Sequence, residues 1–88
     1  MYDKKSLEIE IQIRVLRMNL ESSQRALEFW AQKESEFRQQ LGSQPQKWEC
    51  QRIRRLKHKR KSAASDLDYF QQQLDKLLEK KSIYNLFS

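Results

Sequence analysis

A seven-residue hydrophobic period runs through this chain twice, and one short break separates the two runs. The first run spaces residues four and three apart through Ile9, Ile13, Leu16, Leu20, Ser23, Leu27, Trp30, Glu34, Phe37 and Leu41. The second spaces them three and four apart through Ile53, Leu56, Arg60, Ala63, Leu67, Phe70, Leu74, Leu77, Lys81 and Tyr84. Eight of ten positions are apolar in each run, and a heptad held over four or more repeats is the mark of a coiled-coil seam. The remaining positions are filled mainly by Leu, Gln, Glu, Lys, Arg and Ala, all good helix formers. Each run therefore predicts one helix about 58 Å long, taking ~39 residues at 1.5 Å per residue.

The break is LGSQPQ, residues 41–46, which holds the only glycine and the only proline. Gly42 suits a left-handed residue just past a helix end. Ser43 with Gln46 reads as a capping box, and Pro45 is tolerated in a first helical turn. Two long helices joined by so short a turn fold back on each other. The expected fold class is thus all-α, an antiparallel two-helix hairpin of the coiled-coil type. It forms a single domain over 1–88, with a helix over about 4–41, a turn at 42–45 and a helix over about 44–84. The competing topology is one long kinked rod. Ser65 with Asp68 could also cap a third helix, but the heptad phase runs on unbroken through that stretch.

Leu7, Ile9, Ile11, Ile13 and Val15 alternate with polar residues, which is a strand period carried by β-branched side chains. No partner strand is evident, and a lone strand leaves its backbone groups unpaired, so helix is the expected state here. On a helix, Leu7, Ile11, Val15, Met18 and Phe29 form a second apolar stripe beside the seam. A two-helix hairpin needs only one seam, so a second stripe calls for another neighbour. That neighbour is a second copy, giving a four-helix bundle, or a different protein on which the hairpin docks. Phe29 and Trp30 also read as core. Trp48 is placed to close the hairpin tip against Phe37 and Leu41, and it is the best candidate for an exposed aromatic.

Two seam charges, Glu34 and Arg60, need an explanation, because an unpaired buried charge is costly. They can snorkel to water, pair with the other helix, or open the seam locally. Placed in the hairpin, Arg60 falls near Leu27 or Trp30 and Glu34 near Ile53 or Leu56. The two are expected to set register or partner choice, as polar seam residues do in other coiled coils. Along the first helix, Glu10 with Arg14, Glu21 with Arg25 and Glu34 with Arg38 are favourable pairs four apart, each worth roughly 0.2–0.5 kcal/mol.

Charge is distributed unevenly. Residues 1–42 carry seven basic and seven acidic side chains, while 43–88 carry eleven basic and five acidic, so the net charge of +6 lies wholly in the second half. The run Arg52-Ile53-Arg54-Arg55-Leu56-Lys57-His58-Lys59-Arg60-Lys61 is single-signed, and no acid occurs from Cys50 to Ser65. A phosphate backbone demands dense positive charge of this kind. Arg52, Arg54, Arg55, Lys57, Lys59 and Lys61 are the candidate contacts to nucleic acid or another polyanion. The bland alternatives are a solvated helix face and a surface for an acidic protein.

Other classes are poorly supported. One Cys and one His offer no metal set and no nucleophile–base pair, and one Gly offers no phosphate loop. Neither a cofactor nor a small-molecule substrate is expected, and the chain is expected not to be an enzyme. No apolar run approaches the ~18 residues of a membrane span, and the first fifteen residues are too charged for a signal peptide. An intracellular location, cytoplasmic or nuclear, is expected. The expected function is a coiled-coil interaction module that self-associates or docks on a partner and binds nucleic acid through 52–61. The alternative is an adaptor, inhibitor or structural subunit of a larger assembly, its basic run facing an acidic protein.

Overall fold

The computed structural model describes residues 4–87, apart from the side chain of residue 87. Helix α1 spans Lys4–Gln40 and helix α2 spans Lys47–Phe87. They pack antiparallel along their length as a rod of 67 × 16 × 15 Å. The strand-like alternation at Leu7–Val15 is helical throughout, and α2 runs unbroken past Ser65. Burial explains the first result. Ile9 and Ile13 lie four apart and enter the core with Leu74, while Ile11 between them is exposed. A strand would have put all three on one face.

The core is a thin strip. Ile9, Ile13, Leu56, Ala63 and Leu74 are its buried apolar members, and Ile13 is the most enclosed of them at 2 % exposure. Leu16, Leu20 and Leu77 pack against the cluster at the open end of the hairpin. All of these are seam positions, so the heptad identified the interior.

The turn differs from expectation in two respects. No described residue has a positive φ, Gly42 included, so α1 does not close through a left-handed glycine. Its last turn instead tightens, with the Leu41 amide donating to the Arg38 carbonyl at 3.3 Å. The second helix also begins three residues later than the Ser43–Gln46 box predicted. Gln46 is the cap: its backbone N–H donates to the Glu49 carboxylate at 3.0 Å, and its carbonyl accepts from the amides of Glu49 and Cys50. Glu49 supplies the negative charge that the α2 N-terminus favours. Pro45 therefore sits ahead of the cap, not within the first turn.

The seam charges pair across the two helices. Glu34 is buried, with 6 % exposure, and its carboxylate accepts from Arg60 Nε at 2.5 Å and from Arg38 Nη2 at 3.1 Å. Of the three outcomes expected for these seam charges, pairing with the other helix is the one formed, the two long side chains reaching each other along the seam. A third seam charge, Lys81, pairs with Glu10. Glu10 was expected to bridge Arg14 on its own helix, and it crosses to α2 instead. The other two expected pairs are formed, Arg25 to Glu21 at 2.6 Å and Arg38 to Glu34. The two interhelical pairs lie 24 residues apart on α1, about 36 Å along its axis.

Candidate nucleic-acid interface

Folding the chain back changes the meaning of its charge asymmetry. The half of the rod next to the loop, residues 27–61, holds ten basic and four acidic side chains, a net +6. The open half holds eight of each. The hairpin therefore collects the entire net charge at one end.

Within that end, Arg52, Arg54, Arg55, Lys57, Lys59 and Lys61 are all exposed. Among the described residues, none of the six is in an ion pair, and of the cations from Arg52 to Lys61 only Arg60 has a carboxylate. Their helical spacing divides them between two flanks of α2. Arg54, Lys57 and Lys61 share one flank. Arg52, Arg55 and Lys59 share the other, where they line a cleft of about 350 Å³ together with Trp30, Trp48, Gln51 and Leu56.

Aromatic rings interleave with the cations on this second flank. Lys59 Nζ sits 4.4 Å from the centre of the Trp30 ring, Arg52 lies 5.3 Å from that of Phe37, and Lys33 lies 5.6 Å from that of Phe29. Trp48 meets Phe37 edge-on at 6.4 Å, as expected of a residue closing the tip. It remains 57 % exposed, and its indole N–H donates to the Gln46 side chain at 2.8 Å. A second cleft, lined by Phe29, Trp30, Lys33, Glu36, Phe37, Gln40, Arg52 and Leu56, adjoins the first. The cation over Trp30 is thus Lys59, while its neighbour Arg60 turns to Glu34.

The second stripe is only partly continuous. Leu7, Ile11, Val15 and Met18 are exposed on the outer side of α1, at the open end. Phe29 is also exposed but lies about 16 Å further along the helix, at eleven residues from Met18. It packs edge-on against Trp30 at 4.9 Å and belongs to the tip. Trp30 is half-buried, so of this pair only Trp30 has a core role. On α2, Tyr69, Ile83 and Leu86 are exposed as well.

The electrostatics follow from these contacts. The Arg60 hydrogen bond, opposed by desolvation and reinforced by Arg38, holds the Glu34 carboxyl below the ordinary carboxylate value. Glu10 is lowered first by its hydrogen bond to Lys81. Cys50 is a half-buried free thiol, and no group of His, Cys, Asp or Glu among the described residues could hold a metal ion. No described helix is long and apolar enough to cross a membrane.

Sequence reasoning missed the joining of Trp30 and Trp48 into one cleft with Arg52, Arg55 and Lys59. The shared helix flank of Trp48, Arg52, Arg55 and Lys59 was available from their 3-4 spacing, but the approach of Trp30 from α1 depends on the hairpin register. No protein-family model matches the chain, and no curated protein or solved structure matches it.

Proposed function

We propose that this chain is a non-enzymatic helical-hairpin module whose cationic tip binds nucleic acid and whose open end carries self-association. One observation supports the first part above all: six exposed cations without carboxylate partners crowd the end of the rod that holds the whole net charge. A surface of solubilising charge would be served equally well by mixed signs. Phosphates favour a single sign, and displacement of their condensed counterions adds to affinity.

The test is fluorescence anisotropy with a labelled duplex and a labelled single strand across a salt series. Binding through four to six phosphates gives a log–log slope of roughly −3.5 to −5.5 on duplex, with binding still measurable at ~150 mM salt. The triple variant Arg54→Glu/Lys57→Glu/Lys61→Glu lies outside the cleft and the seam. It should cut affinity for both probes and flatten the slope while leaving helicity intact. Weak binding that vanishes by ~150 mM salt, with a slope near −1, would refute the reading.

Self-association is supported by the exposed apolar stripe of α1. Leu7, Ile11, Val15 and Met18 offer an apolar face at the neutral end, away from the mutual repulsion of two cationic tips. In the adaptor reading the same face docks on a different protein. Sedimentation equilibrium separates the two: Ile11→Glu/Val15→Glu should halve the mass of a homodimer and leave that of a monomeric adaptor unchanged.

A further inference from the structure

We infer that the tip cleft seats one unpaired nucleobase, which makes single-stranded nucleic acid the ligand class of this end; the inference rests on the nucleic-acid reading above. The cleft brings two indoles, three cations and the Gln51 amide into about 350 Å³, and no carboxylate lines it. That volume lies near the lower end of small-molecule pockets, which suits one planar ring with a phosphate beside it.

Trp48 is the stacking surface. Its ring is more than half exposed, yet it is held in place by the Gln46 hydrogen bond and by the edge of Phe37. An exposed aromatic already held in one position loses little freedom on binding. Trp30 serves as a wall, because Lys59 already covers its face. Arg52, Arg55 and Lys59 line the same cleft and supply positive charge for the phosphates of the strand. Gln51 supplies a donor and an acceptor for a base edge. Neither face of a paired base within a duplex is free, so duplex cannot use Trp48, whereas every base of a single strand can. An acidic peptide would satisfy the cations but leave the indole without its natural partner.

The experiment uses the full chain and four probes: a labelled oligothymidylate, an abasic strand of the same length, a duplex, and polyglutamate as competitor. Oligothymidylate should bind roughly 5- to 150-fold more tightly than the abasic strand, the range expected for one stacked base. Trp48→Ala should remove that advantage and leave abasic and duplex binding unchanged. In the wild-type chain, oligothymidylate should shield indole emission from acrylamide and the abasic strand should not, which gives a readout independent of how the variant folds. Equal affinity for oligothymidylate and abasic strands would overturn the stacking site while leaving polyanion binding in place. Failure of every nucleic-acid probe to bind would overturn both. Polyglutamate displacing oligothymidylate as effectively as an unlabelled strand does would assign the tip to acidic protein and overturn the inference.

Discussion

Replacing Arg60 by Leu removes a cation from the seam and leaves the Glu34 carboxylate with only Arg38. The lost interaction is a charge-assisted hydrogen bond at 2.5 Å, and such bonds contribute about 1.5–3 kcal/mol. Breaking a deeply buried pair costs about 3–5 kcal/mol, but two features lower the figure here. Arg38 still donates to the other carboxylate oxygen, and the rod is only 16 × 15 Å in cross-section, so water lies close by. Leu at this half-buried position recovers up to about 1 kcal/mol of apolar burial. The expected net loss is about 1–2 kcal/mol, a fall in Tm of roughly 4–16 °C for a chain of this size. Glu34→Leu/Arg60→Leu should be at least as stable as wild type, because exchanging a buried pair for apolar residues is often neutral or stabilising by about 1–4 kcal/mol. Thermal and urea unfolding followed by circular dichroism, at one fixed chain concentration, measure both variants. If Arg60→Leu alone raises Tm as much as the double variant does, the Glu34 carboxylate is solvated and the reasoning fails.

Three further outcomes are expected. Glu34 titrates below its ordinary value of 4.5 in the folded state, so the unfolded chain binds its proton first; the stabilisation is complete above about pH 4.5 and is lost as pH falls through the folded pKa. Acid titration of Tm should show this loss, and Arg60→Leu should diminish it. Gly42→Ala should stabilise the chain by about 0.4–1 kcal/mol in urea unfolding, because Gly42 does not have a positive φ and nothing lies within 4 Å of an added Cβ; destabilisation would reinstate the left-handed cap. Ile13→Ala should cost about 2–4 kcal/mol, whereas Ile11→Ala should change monomer stability by less than about 0.5 kcal/mol; equal losses at the two sites would contradict the helical burial pattern.

Much of the interior was legible in one dimension. A heptad is geometric, and a residue seven places on returns to the same face, so Ile9, Ile13, Leu56, Ala63 and Leu74 were identifiable as core without coordinates. The exposed Leu7–Met18 stripe and the basic run itself were legible for the same reason, since each depends only on its own helix; that six of the cations have no carboxylate depends also on where the acids of α1 fall, as Glu34 beside Arg60 shows. The turn was less so. Ser43–Gln46 and Gln46–Glu49 share capping-box spacing, and the preference for Ser at the cap points to the first, which the structure does not use. Once the helix began at Lys47, Glu49 was the side chain in reach of the Gln46 amide.

The sequence by itself determined two long helices, the face each buries, and a charge excess confined to the second of them. The tertiary structure decided which residues from different helices meet. The Glu34–Arg60 and Glu10–Lys81 pairs depend on register, and long charged side chains span more than one residue step along a seam. Phe29 joined the tip because Arg52 and Leu56 of α2 line a cleft with it there. The fold also turned a sequence asymmetry into a polar rod, cationic at the loop and neutral at the open end. Chain reversal alone accounts for that, because it sets the neutral C-terminal half of α1 beside the basic start of α2.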